Sequence, residues 1–260
     1  MTGVRAKKNL GQHFLNDKNI ARRIVESLQA NGVNKVLEIG PGMGVLTQYL
    51  MQNSNYETSA VEIDRESVEY LNAHYPDLKD RIISADFLRL DLSRLFSEPF
   101  CIIGNFPYNI SSQIFFKVLD YRNQIPEVVG MLQKEVAERL AAGPGSKTYG
   151  ILSVLLQAYY NIEYLFTVHE NVFTPPPKVK SGVIRITRNE RQHLDCDEKL
   201  FTSIIKMAFN QRRKTMRNSL KSLIHSDELK ANPIFDKRPE QLSVAEFEML
   251  TKLIGEKAQS

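Results

Sequence analysis

Cysteine is scarce. The 260 residues include only Cys101 and Cys196, too few for a disulfide framework or a cysteine-rich zinc site. Cys101, inside the apolar run FCIIG, is expected to be a buried thiol in a reducing cytoplasm. No apolar run approaches the roughly 18 residues of a membrane span, which excludes an integral membrane protein. The N-terminus MTGVRAKKNLGQHF is basic and lacks an apolar core, so no secretory signal is expected. No G-K-[S/T] follows the glycine-rich turn, which excludes a P-loop. Internal repeats, low-complexity tracts and coiled-coil heptads are absent, so a monomer is expected, and no metal site is implied. Hydrophobic residues make up 42% of the chain, ordinary for a globular protein and too many for a mainly disordered one.

What is present is an uneven distribution of charge. The net charge is only +4. Residues 206–221 carry Lys206, Arg212, Arg213, Lys214, Arg217 and Lys221 and no acid, and residues 1–16 add three basic side chains. The remainder is acidic, with 25 basic against 30 acidic side chains. Two basic segments on an acidic body point to a polyanionic partner. On a continuous helix, Lys206, Arg213, Lys214, Arg217 and Lys221 share an arc of about 100°. Phe209, Met216, Leu220 and Leu223 fill the adjoining arc, so one face would dock on the protein and the other meet phosphates. A break at 211–214 would alter that geometry.

Short apolar runs alternate with amphipathic stretches over the first 180 residues. VLEIG (36–40), SAVEI (59–63), RIIS (81–84), FCIIG (100–104) and EVVGML (127–132) read as strands. GVLTQYLM, RESVEYLNAHY, QKEVAERLAA and YGILSVLLQAYY read as helices. This order predicts an α/β fold with a mostly parallel sheet covered on both faces. IEYLFTV and SGVIRIT are expected as later strands in a closing hairpin, and TPPPK (174–178) as a stiff loop without regular structure. Beyond about residue 189 the pattern is helical, with Ser243 and Glu246 forming a capping box.

Two segments carry chemistry. Gly40, Gly42 and Gly44 stand at alternate positions after the first strand, where open α/β sheets bind ligands. The spacing is G-x-G-x-G, not the dinucleotide fingerprint. Glu62 ends the second strand, the place for a carboxylate on two ribose hydroxyls, with Asp64 a competitor for that role. Asp86 follows the third strand, placed to accept from an adenine amino group. After the fourth strand comes Asn105-Phe106-Pro107-Tyr108. It resembles the Asn/Asp/Ser-x-Pro-Tyr/Phe segment of methyltransferases acting on nucleobase amines. An exocyclic amine is a poor nucleophile because its lone pair is delocalised into the ring. Acceptors on its hydrogens, the Asn105 side-chain oxygen and the Pro107 carbonyl, pull the nitrogen toward a pyramidal form. Tyr108 offers a face for the base, worth about 1–3 kcal/mol.

With these segments in place, the chain resembles the small-subunit rRNA adenine dimethyltransferase family over roughly residues 5–255. The resemblance rests on GQHFL (11–15), EIGPGMG (38–44), VEID (61–64), NFPYNIS (105–111), MLQKEVAERL (131–140), VFTPPPKV (172–179) and AFNQRRKTMRNSL (208–220). It implies a Rossmann-like class I methyltransferase domain with a seven-stranded sheet over 1–188, and a small all-α RNA-binding domain over 189–260. It also implies S-adenosylmethionine as cofactor, held by His13, Leu15, Gly40, Glu62, Asp86 and Asn105. The target base would lie between Tyr108 and Phe173; the competing reading makes Phe173 a core anchor. The expected product is N6,N6-dimethyladenosine at two adjacent adenines in the 3′-terminal hairpin of 16S rRNA, formed on a precursor of the small subunit in the cytoplasm. His13 stands where many relatives have Asn, and Phe106 where relatives usually have Leu. Two other readings compete: a ribosome-assembly factor that acts by binding RNA, and a DNA adenine N6-methyltransferase.

Overall fold

The computed structural model describes residues 4–258. Among the described residues nine strands form: β1 Phe14–Leu15, β2 Lys35–Ile39, β3 Glu57–Glu62, β4 Ile82–Ser84, β5 Cys101–Asn105, β6 Glu127–Gln133, β7 Tyr160–Val168, β8 Phe173–Thr174 and β9 Ser181–Arg188. Seven of them make one sheet in the order β4-β3-β2-β5-β6-β9-β7. The pairs among β4, β3, β2, β5 and β6 are parallel, and β9 runs antiparallel to β6. β2, β3, β5 and β6 are buried along nearly their whole length, as strands covered on both faces must be. β7 and β9, expected as a hairpin, are neighbours at one edge. Among the described residues, no helix is long and apolar enough to cross a membrane.

Local chemistry sets the element ends. Asp17 caps the helix Lys18–Glu26, its side chain accepting from the N–H groups of Asn19 (2.8 Å) and Ile20 (3.0 Å). The helix buries Ala21, Ile24 and Val25. The helix expected immediately after the glycine-rich turn is shorter, Thr47–Leu50. Gly42 and Gly44 hold φ of +56° and +80°, so right-handed helix cannot begin before the last glycine is passed. Of the stiff TPPPK loop, Thr174 does enter regular structure, because β8 pairs antiparallel with β1, Leu15 opposite Phe173.

The chain divides into two compact units, residues 1–138 with 161–188, and residues 139–160 with 189–260. The segment 139–160, expected within the first domain, clusters with the C-terminal helices. Its helix Ile151–Gln157 buries Leu152, Val154, Leu155 and Leu156 and packs on the helices Glu198–Asn210 and Val244–Ala258. Phe201, Ile204, Ile205, Phe247 and Leu250 fill the same core. The capping box forms, with Ser243 N–H donating to Glu246 Oε2 (2.8 Å) and Glu246 N–H to Ser243 Oγ (3.2 Å).

The continuous basic helix does not form. The helix Glu198–Asn210 ends at Gln211, a turn closes through Lys214 N–H on the Gln211 carbonyl (2.7 Å), and a short helix restarts at Met216–Ser219. The apolar arc survives in part, since Met216 and Leu220 are fully buried. The single cationic arc does not: Lys206 is exposed on the first helix, Arg213 and Lys214 on the turn, and Lys221 beyond the short helix. Arg217 is held by Asp236 at 2.6 Å, and Arg212 donates to the Ser146 carbonyl at 3.3 Å.

Candidate functional site

At the carboxyl ends of β2, β3 and β5 lies an open cleft of about 470 Å³, the solvent at its mouth included. Its lining comes from four places in the sequence: Leu10–Phe14, the turn after β2 with Gly40 and Gly42, the end of β3 with Glu62 and Ile63, and Asn105–Tyr108. An adjoining recess of about 350 Å³ shares Phe14, Gly40, Gly42 and Asn105 and reaches Leu15 and Glu38. The parallel sheet brings these ends together, because β2 sits between β3 and β5.

The three glycines serve different purposes. Gly40 has φ of +65°, and a Cβ there would meet nothing nearer than Pro107 Cδ at 3.9 Å; it is the open floor of the cleft. A Cβ on Gly42 would fall 2.8 Å from the Phe14 ring. Gly44, expected beside the ligand, instead makes room for Tyr75, whose ring would lie 2.4 Å from an added Cβ and whose hydroxyl donates to the Gly44 carbonyl at 2.9 Å. Gly44 therefore shapes the turn and lines neither recess.

The carboxylates separate cleanly. Glu62 is 4% exposed and lines the cleft. It accepts from the N–H groups of Gly42 (3.1 Å) and Asp64 (2.9 Å). Burial pushes its carboxyl above the ordinary range, with those donors opposing. Asp64 is occupied elsewhere: it binds the Lys7 ammonium, Gln12 Nε2 (3.3 Å) and Ser67 Oγ (3.1 Å). Burial raises its carboxyl, but those bonds outweigh it and hold it below the usual range. One of the N-terminal basic side chains expected to face a polyanion thus pairs with Asp64 and Glu66. Asp86 lies beyond the lining as it stands. It follows β4, and its Oδ1 accepts from Leu88 N–H at 2.9 Å.

Asn105 ends β5, opposite Met131 of β6. Its Nδ2 donates to the His13 carbonyl at 2.9 Å. A carbonyl can only accept, so this bond fixes the amide orientation and leaves Oδ1 for a ligand. His13 is itself tied down: its Nδ1 lies 2.7 Å from the Pro175 carbonyl, which places the ring proton on Nδ1. The Pro107 carbonyl accepts from Ile110 N–H at 3.2 Å and retains one lone pair. Tyr108 lines the cleft, packs on His13 with ring centroids 5.3 Å apart, and shares a 2.6 Å hydrogen bond with Ser181 Oγ. Burial pushes its phenol upward.

Two aromatic expectations change. Phe173 is 3% exposed and sits in the core with Leu15, Val36, Met131 and Val183. Pairing of β8 with β1 turns it inward, so it anchors the fold and does not face the cleft as a second stacking surface. Phe106 is 1% exposed and projects over two glycines. A Cβ on Gly104 or Gly130 would lie 2.9 Å or 2.4 Å from its ring. The larger side chain is accommodated beneath the cleft while the polar groups of Asn105 and Pro107 keep their places.

Four residues escaped the sequence reading. Lys7 and Gln12 strap the N-terminal segment over Asp64; only their charge and polarity are visible locally. Ile63, 53% exposed, stands at the cleft wall. Glu38 is 1% exposed and accepts from the Thr47 hydroxyl at 2.6 Å. Burial pushes its carboxyl to about 8, and the negative Glu62 adds to the rise. A glutamate inside the apolar run VLEIG was its only signal.

The profile of the family described as Ribosomal RNA adenine dimethylase matches residues 3–254. A protein of Parabacteroides distasonis named Ribosomal RNA small subunit methyltransferase A is 66% identical, over 98% of this chain and 95% of its own length. One of the same name from Cytophaga hutchinsonii is 64% identical, over 99% of this chain and all of its own. Among solved structures, a dimethyladenosine transferase from Plasmodium falciparum superposes with a TM-score of 0.80 at 22% identity, covering 95% of this chain and 98% of that one. The 23S rRNA methyltransferase ErmE gives 0.71 at 24% identity, covering 92% and 99%. These two likenesses speak to fold.

Proposed function

Because the chain belongs to the ribosomal RNA adenine dimethylase family, we propose a specific assignment of its cleft to that reaction. The protein is an S-adenosylmethionine-dependent adenine dimethyltransferase of small-subunit rRNA. In our reading the targets are two adjacent adenines of the 3′-terminal hairpin, modified on a small-subunit precursor in the cytoplasm. In our reading the protein acts as a monomer.

The cleft residues suit the adenosyl group. Gly40 leaves open space at a positive φ, and Glu62 is a buried acceptor held by backbone donors at the cleft. Glu62 would take the two ribose hydroxyls and Asp86 the adenine amine, with the 12–15 segment along one side. When bound, the cofactor supplies a methyl group on an activated sulfonium. The remaining work falls to this chain, and it is mainly positioning. The target adenine leaves its stack, as base-modifying enzymes require, and lies on Tyr108. Asn105 Oδ1 and the free lone pair of the Pro107 carbonyl accept from its amino hydrogens and aim the nitrogen lone pair. The amine needs no strong protein base against such a donor. A second round requires the site to admit N6-methyladenine.

The observation that carries this reading is the Asn105 amide, turned by the His13 carbonyl so that its oxygen is left for the amine. Lys206, Arg213, Lys214 and Lys221 would meet RNA phosphates. Arg212 and Arg217 play a lesser part because their own unit engages them. Methyl incorporation from labelled cofactor tests the reaction, with undermethylated small subunits and duplex DNA compared. Label in the subunits alone is expected; label in DNA alone would replace RNA by DNA as substrate. Glu62→Ala should abolish incorporation while subunit binding persists. A wild type that binds subunits but transfers nothing would leave only an assembly role.

A further inference from the structure

TPPPK (174–178) reads from sequence as a stiff loop; in the structure the stretch 175–180 between β8 and β9 has both ends fastened to base-site residues. At its start the Pro175 carbonyl holds His13 Nδ1 (2.7 Å). Just past its end, fully buried Ser181 shares the 2.6 Å hydrogen bond with the Tyr108 hydroxyl. Lys180 is also fixed through its backbone, since its carbonyl accepts from Lys134 N–H at 2.9 Å. Pro175, Pro176 and Pro177 restrict φ along the first half. The loop is therefore a stiff rim beside Tyr108.

Its exposed second half reads Lys178-Val179-Lys180. No ion pair or side-chain hydrogen bond engages either ammonium among the described residues, whereas the neighbouring Lys134 is paired with Glu138. Two unneutralised cations thus project from a rigid rim next to the residue that would receive the base. A nucleotide displaced into the cleft brings its flanking phosphates to that rim, and phosphate contacts are what fix register on a nucleic acid.

We propose that Lys178 and Lys180 form a phosphate-binding clamp for the RNA strand on either side of the target adenine. This rests on the methyltransferase reading above, and deepens it by assigning the strand-positioning contacts.

The test uses the full chain and undermethylated small subunits at fixed magnesium, with S-adenosylhomocysteine present. Affinity is measured as a function of salt for wild type, for Lys178→Ala with Lys180→Ala, and for the matching pair of Arg substitutions. Each phosphate contact on a single strand contributes about 0.7 to the log–log salt slope. The alanine pair should lower the slope by about 1.4, while the arginine pair keeps it. Affinity for S-adenosylhomocysteine alone and melting temperature should match wild type in both. An unchanged slope in the alanine pair, or a loss confined to cofactor affinity, overturns the clamp. Failure of the underlying reading looks different: wild-type protein would transfer no methyl group to the subunits.

Discussion

Replacing Glu38 with glutamine should leave a pH signature whose size follows from the structure. Glu38 is 1% exposed, and burial pushes its carboxyl from 4.5 to about 8 against the opposing hydrogen bond from Thr47. A carboxyl raised on folding binds its proton more tightly in the folded state. Its contribution to stability is complete below pH 4.5 and is lost as pH rises through 8. Within that window stability falls with the ordinary proton-linkage slope, about 3 kcal/mol over the two pH units from roughly 5.5 to 7.5. Glutamine has the same shape, keeps an acceptor for Thr47, and does not titrate. For a domain of this size 1 kcal/mol corresponds to about 2–4 °C. The melting temperature of Glu38→Gln relative to wild type should therefore climb by about 5–10 °C over that range. Thermal unfolding of both proteins as a function of pH measures it, and the difference between them cancels groups common to both. A difference that stays flat with pH would refute the claim that burial holds Glu38 protonated at the recess beside the cleft.

Gly130→Ala should destabilise the protein by about 1–3 kcal/mol, because the new Cβ falls 2.4 Å from the Phe106 ring. Adding Phe106→Leu should recover most of that loss, as denaturant melts of the single and double variants can show. Replacing Arg213 and Lys214 by alanine should reduce the salt slope of subunit binding by about 1.4. Arg217→Ala should change the slope far less, since its guanidinium is held by Asp236.

The sequence made the sheet legible because β2, β3, β5 and β6 are short apolar runs separated by amphipathic stretches, a pattern that only a parallel sheet covered on both sides explains. The cleft was legible for the same reason: Gly40, Glu62 and Asn105 each sit where an apolar run ends, so the fold itself gathers them. What escaped depends on contacts distant along the chain. Nothing local distinguishes Asp64 from Glu62; the strap from Lys7 and Gln12 does. Phe173 read as the second aromatic against the base until the pairing of β8 with β1 turned it into the core. Gly44 belonged to the same glycine pattern as Gly40, but Tyr75 fills the space it leaves. The basic segment 206–221 satisfies helical periodicity, yet the turn at 211–214 breaks it into parts with different neighbours. Periodicity reports which faces are apolar, not where a helix stops.

The most direct test incubates undermethylated small subunits with methyl-labelled S-adenosylmethionine and maps the modified bases by mass, for wild type and for Asn105→Ala. Wild type should place two methyl groups on N6 of each of two neighbouring adenines near the 3′ end of the rRNA, and the variant should leave them unmodified while still binding the subunits. Label on other bases, or a variant as active as wild type, would contradict the role given to the Asn105 amide.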